Sequence, residues 1–241
     1  MKRRAFIFGG MAAILASRRA PALCIAMRNG MTRPSAPTPP LPYDAEVEYL
    51  ESTGTQYIDL GVVARGGLII SCRFKRSDTE SSTAKLVYGG YSATSSIVGF
   101  GGVNTSGSFT WNPNALSASS NVVADTSWHT SELSTVVGNK YIKIDGTITA
   151  TSSSSGSNTG SRTMYMFARN RNSATANVDF TDCSISSLSI TDAESNVAII
   201  DLFSVRFTNE LGQSEGAMYD RVSGALFRNA GTGAFTIGPD K

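Results

Sequence analysis

From Tyr43 onward the chain is written in short apolar runs separated by polar turns, and in no window do apolar residues keep a helical period through three turns with capping residues. The clearest unit runs from Trp128 to Gly146. Ile142 and Ile144 alternate with Tyr141, Lys143 and Asp145, the period of two of a half-buried strand, and Asp145-Gly146 supplies the two positive φ angles of a type I′ hairpin turn. The same pattern predicts strands near 45–50, 57–59, 67–73, 84–88, 97–101, 108–111, 127–134 and 140–144. Later ones are expected near 147–151, 163–169, 181–190, 197–203, 217–220 and 225–229. Many short strands joined by Gly, Asn, Ser and Asp clusters predict an all-β sandwich or barrel with little helix. The Ser-rich tract 151–160 has no large apolar residue to bury and is expected to be an exposed loop.

Ahead of this region the pattern changes twice. Residues 1–22 read as an export signal, with Lys2, Arg3 and Arg4 at the charged start, an apolar run from Ala5 to Ala16 and the small residues Ala20-Pro21-Ala22 at a cleavage site. The run is too short to span a bilayer. Arg3-Arg4 also fits a twin-arginine signal, and both export routes stay open. Leu23 stands where a lipoprotein signal wants a small residue before Cys24. Residues 23–42 hold five prolines between Pro34 and Pro42 and read as an extended spacer, which leaves 43–241 as one folded domain.

Charge changes the picture once the signal is set aside. The 241-residue chain carries a formal +2, but its first 22 residues hold five basic side chains and no acidic one, so their removal leaves −3. A slightly acidic domain without a Lys/Arg cluster lacks the footprint of a nucleic-acid binder, and no membrane insertion by the mature domain is expected. An exported protein, at the cell surface, in the periplasm or outside the cell, is the predicted address. Cys72 and Cys183 lie in strand patterns and are read either as a disulfide between neighbouring strands or as two buried thiols.

Several segments together resemble a known family. The run Glu46-Val47-Glu48-Tyr49-Leu50-Glu51-Ser52-Thr53-Gly54-Thr55-Gln56-Tyr57-Ile58-Asp59 is similar to the opening of a group of laminin-G-like domains from gut bacteria and their phages. Phe167-Ala168-Arg169-Asn170 resembles the middle of such domains, and Tyr219-Asp220 with Asn229-Ala230-Gly231-Thr232-Gly233-Ala234-Phe235 resembles their end. The resemblance covers Tyr43 to the C-terminus. It implies a concanavalin A-like jelly roll, a two-sheet antiparallel sandwich, many of whose members bind carbohydrate or a cell-surface partner; fold alone does not choose among lectins, glycosidases and spacers.

Candidate chemistry is sparse. Glu46-Val47-Glu48-Tyr49-Leu50-Glu51 mimics the E-x-D-x-x-E signature of laminarinase-type glycosidases, but Glu48 replaces the middle Asp, and only a bulge would bring Glu51 to the face of Glu46 and Glu48. His129 is the single histidine, so any Ser-His-Asp triad would depend on it, and no Cys or His pair has metal-ligand spacing. The loop Asn170-Arg171-Asn172-Ser173-Ala174 has no carboxylate to hold Ca²⁺, and Gly231-Thr232-Gly233 precedes a strand rather than a phosphate-binding helix. No catalytic residue, metal or cofactor is therefore predicted. The expected function is a non-catalytic module binding a glycan or a cell-surface protein through Tyr91, Asn104, Trp111, Asn112 and Asn114, which combine aromatic faces with amides. A glycosidase using Glu46 and Glu51, or a structural display domain, is the alternative.

Overall fold

The computed structural model describes residues 40–93, 96–113, 118–156, 162–171 and 178–241. The export-signal pattern, Cys24 and Asn114 lie outside them, as does nearly all of the Pro-rich spacer. Numbered in chain order, nineteen strands among the described residues form two sheets. The large sheet runs β11 (Thr147–Ser152), β10 (Asn139–Ile144), β9 (Trp128–Val136), β4 (Leu68–Arg76), β15 (Cys183–Asp192), β16 (Val197–Thr208), β17 (Ser214–Asp220), β18 (Leu226–Phe227). Off this path β1 (Ala45–Glu46) pairs with β16, β2 (Leu50–Ser52) with β15, and β19 (Thr236–Ile237) with β2. The small sheet runs β14 (Val178–Phe180), β13 (Ala168–Asn170), β5 (Tyr88–Ala93), β6 (Ser96–Val103), β7 (Ser108–Pro113), β8 (Ala118–Val123). There β12 (Thr163–Met166) bridges β5 and β3 (Ile58–Val63). Pairing is antiparallel except between β13 and β5.

The chain is thus an all-β, two-sheet antiparallel sandwich. Alternation builds it: Leu68, Ile70, Cys72 and Phe74 of β4 point inward and are buried, while Ser71 and Arg73 between them point out. Phe74 meets Phe100 and Phe109 of the small sheet edge-on, at 5.3 and 5.7 Å between ring centres. The expected hairpin turn is present, with φ of 51° at Asp145 and 79° at Gly146.

Three expectations are corrected. The strand foreseen at 45–50 is two strands, because Val47 and Leu50 both face the core and the chain between them must leave the pleat. This segment fills the fork where β15 and β16 part, and the Ser204 hydroxyl closes the fork by donating to the Ile185 carbonyl at 2.9 Å. The strand foreseen at 84–88 begins only at Tyr88; residues 84–87 lie outside the strands, and Leu86 comes to rest over Gly89 and Gly99. Cys72 and Cys183 do sit on adjacent strands, but Cys72 is opposite Leu188 and Cys183 opposite Arg76. Four residues of strand, about 13 Å, separate those positions, well beyond the reach of a disulfide. Both are free and buried, and burial pushes their thiols up.

Candidate functional site: a serine-floored trough on the large sheet

Register across the large sheet aligns outward side chains from five strands. One row reads Lys143, Glu132, Ser71, Ser189, Asp201, from β10 through β9, β4 and β15 to β16. The next reads Thr130, Arg73, Ser187, Phe203. Serines at the centre are too short to reach the height of the long side chains around them, so the surface sinks into a trough of about 330 Å³. Among the described residues the hydroxyls of Ser71, Ser187 and Ser189 have no hydrogen-bond partner. They face the trough with donor and acceptor capacity free.

One wall is Glu132, whose Oε1 accepts from Lys143 Nζ and from the Tyr141 hydroxyl, each at 2.7 Å. Burial alone would raise the Glu132 pKa, but these two donors outweigh it and hold the carboxyl below its ordinary value. The opposite wall is Asp201, 3.4 Å from Arg221. At the end of the trough the Arg73 guanidinium lies 5.3 Å from the centre of the Trp128 ring, which itself sits 5.7 Å from Tyr49. Arg73 and Trp128 also line an adjoining hollow of about 290 Å³ with Glu48, Ser186 and Lys241. The two hollows therefore share Arg73.

Of the residues expected from sequence to bind a ligand, the four that are described do not line this trough. Trp111 is fully buried in the core and Asn112 is buried on the other side of the same strand. Asn104 is a turn cap: its Oδ1 accepts from the backbone N–H groups of Ser106 and Ser108, both at 2.9 Å, and its Nδ2 donates to the Ser119 hydroxyl. Tyr91 is half-buried, with Arg169 5.6 Å from its ring centre and Arg169 ion-paired to Asp179. Asn114 lies outside the described residues. Burial removes Trp111 and Asn112 from a surface, Trp111 in the core and Asn112 on the outer face of the small sheet, where residues 82–87 approach Gly89, Gly99 and Gly102 closely.

The sequence reasoning missed Ser71, Arg73, Glu132, Lys143, Ser187, Ser189 and Asp201. Their one sequence signal is serine at outward positions between apolar inward ones, in Ile70-Ser71-Cys72 and Ser187-Leu188-Ser189-Ile190.

Glu46 stands against Val205 of β16, whereas Glu51 stands against Ser184 of β15 and Thr236 of β19. Glu46 thus belongs to β1 and Glu51 to β2, separate strands with different partners rather than one strand presenting both as a carboxyl pair. Gly231-Thr232-Gly233 is a turn packed on the Thr55 carbonyl, which accepts from Thr232 N–H at 3.0 Å. Among the described residues no group of three or more His, Cys, Asp or Glu is placed to hold a metal ion, and no helix is long and apolar enough to cross a membrane. The loop considered for calcium lies mostly outside the described residues.

Fold and trough define the class: a two-sheet β-sandwich with an open polar surface on its larger sheet. No protein-family model and no curated protein matches the chain. Among solved structures it is similar to domains LG4-5 of the mouse laminin alpha1 chain, at 16% identity and a TM-score of 0.46, over 83% of this chain and 48% of that one. It spans about half the length of that neighbour.

Proposed function

We propose that this chain is an exported, non-catalytic binding module whose trough on the large sheet takes a carbohydrate. The observation that carries the reading is the aligned row of Glu132, Ser71, Ser189 and Asp201. Sugar hydroxyls donate and accept; the two carboxylates supply acceptors at the ends of the row, and the serines supply both in the middle. Trp128 lines the hollow that adjoins the trough through Arg73 and adds aromatic surface beside it. The row spans three strand spacings, about 14 Å, which is longer than one sugar ring and suits a short oligosaccharide. The same separation of Glu132 from Asp201 is too wide for a glycosidase pair, which supports binding without cleavage. The signal pattern at residues 1–22 supports an address where glycans are met.

A glycan array probed with the chain from Pro40 to Lys241 tests this. Binding to at least one oligosaccharide is expected, lost when Ser189→Trp fills the trough and kept in Tyr91→Ala on the other sheet. Absence of binding to every sugar rejects the reading. A surface protein is the second reading, favoured by the cluster beside Asp201. Tyr43 lies 5.9 Å from Phe203 and 5.0 Å from Tyr219, and Arg221 caps Phe203 at 4.1 Å. Aromatic side chains with arginine make up the centres of many protein contacts.

A further inference from the structure

His129 stands at the start of β9, facing inward at the rim of the core, 6.0 Å from the Phe74 ring and 5.7 Å from the Phe109 ring. Both of its ring nitrogens meet a carboxylate. Nδ1 is 2.7 Å from Asp145 Oδ2, and Nε2 is 3.0 Å from Asp125 Oδ1. The two acids belong to different pieces of chain, Asp145 to the β10–β11 turn and Asp125 to the loop before β9. Each is also held locally: Asp145 Oδ1 accepts from the Thr130 N–H at 2.8 Å, and Asp125 Oδ1 from the Ser127 N–H at 2.6 Å.

A neutral imidazole has one N–H and donates to one of these carboxylates; the imidazolium donates to both. Burial opposes the charge on His129, but the hydrogen bonds it donates to Asp145 and Asp125 outweigh it and hold the pKa above the ordinary 6.5. Among the described residues no other charged group acts on it. On β4, Arg73 and Lys75 flank Phe74 but point to the opposite face, β7 presents only Phe109, and Glu132 of β9 is engaged by Lys143 on the outer face.

We propose that His129 is a pH-operated latch: its charged form ties the Asp125–Trp128 segment to the Asp145 turn, and loss of its proton to solvent frees the segment that carries Trp128. On deprotonation the ring keeps the shorter bond, to Asp145, whose other oxygen is fixed by Thr130. Asp125, 54% exposed, is left facing a lone pair and turns to water. Ser127 and Trp128 follow, and the Trp128 ring leaves its place beside Arg73 and Tyr49 in the hollow that adjoins the trough. The effect on ligand capture rests on the trough being the binding surface; the latch itself does not.

The chain has one histidine, so an NMR titration of the imidazole ring protons reports it without assignment. The midpoint is expected above 6.5, and Asp125→Asn and Asp145→Asn are each expected to lower it by about 1 pH unit. Of the two tryptophans Trp111 is fully buried, so acrylamide quenching of fluorescence reads Trp128. Quenching is expected to rise with pH through the same midpoint and to lose its pH dependence in His129→Gln. A midpoint at or below 6.5 in the unaltered chain overturns the latch, and so does a raised midpoint with a flat quenching profile. A raised midpoint with matching quenching, but no sugar bound at any pH, keeps the latch and rejects the trough reading.

Discussion

The outer face of the large sheet carries Ser71, Ser187 and Ser189 at its centre, whereas the matching place on the small sheet is held by Gly89 and Gly99, directly opposite each other on β5 and β6. A Cβ at Gly99 would come within 2.6 Å of the Tyr88 carbonyl oxygen and 2.7 Å of Leu86 Cδ1, and one at Gly102 within 3.0 Å of the Ser82 carbonyl oxygen. Absence of side chains thus lets a loop lie flat on the small sheet and seal it. Arg76, fully buried, fixes the loop: its Nη1 donates to the carbonyls of Gly101 at 2.6 Å and Lys85 at 3.1 Å, its Nε to the Asp78 carbonyl at 3.1 Å, and its Nη2 pairs with Asp78 Oδ1 at 3.0 Å. Serine on the large sheet has the opposite effect, since its Cβ and hydroxyl keep a covering backbone away while leaving room for a ligand. Two heavy atoms per residue, Cβ and Oγ, separate the face that is covered from the face that is open.

The largest change comes from breaking the seal. Arg76→Met leaves Asp78 and three carbonyls, that of Gly101 buried, without their donor and is expected to cost about 3–5 kcal/mol in urea unfolding; a cost below about 1 kcal/mol would show that the guanidinium does not hold the loop. Gly99→Ala forces the strands and Leu86 apart and is expected to cost about 1–3 kcal/mol. Ser189→Ala, at the corresponding centre of the large sheet, is expected to stay within about 0.5 kcal/mol of the parent. Equal costs at Gly99 and Ser189 would erase the distinction between the two faces.

The sandwich class was legible because alternation is local: Ile142 and Ile144 announce their strand, and Asp145-Gly146 its turn, without knowledge of any partner. What depends on register was not. Leu86-Val87 has the composition of a strand, yet Val87 donates its N–H to the Phe100 carbonyl from outside the strand while Leu86 covers the glycines, an arrangement fixed by Arg76 reaching from another sheet. Trp111 and Asn112 carry the residue types of a binding site, and only the packed sandwich shows that neither is open, Trp111 facing the core and Asn112 buried on the other side of its strand. Ser71 and Ser189 are 118 positions apart in the chain and opposite each other in the sheet, so their trough exists only once β4 and β15 are paired.

Between the two sheets at the rim stands His129, and its contribution to stability should be smaller, about 1 kcal/mol. Because its folded pKa is raised, that contribution is complete below about 6.5 and is lost as pH rises through the folded value. Thermal unfolding midpoints of the parent are therefore expected to fall across that interval, and those of His129→Gln to stay level there. A parallel fall in both would place the titration elsewhere.

The smallest effect belongs to the trough wall. Glu132 has a folded pKa depressed below its ordinary 4.5, so the stability it contributes is present above about 4.5 and is lost as pH falls through the lower folded value. Its carboxylate is 32% exposed and partly screened by solvent, as is Lys143 beside it, so Glu132→Gln should leave stability at neutral pH almost unchanged. The change belongs at the acid end: the parent should lose stability across that interval more steeply than Glu132→Gln. On the covered small sheet the corresponding substitution, Asn104→Asp, adds a carboxylate where Asn104 Nδ2 now donates to Ser119, so it should remove that bond without creating a hydroxyl-binding wall. Sugar affinity that falls in Glu132→Gln but not in Asn104→Asp would assign recognition to the serine-floored face, because only there does a carboxylate stand beside hydroxyls that nothing in the described protein engages.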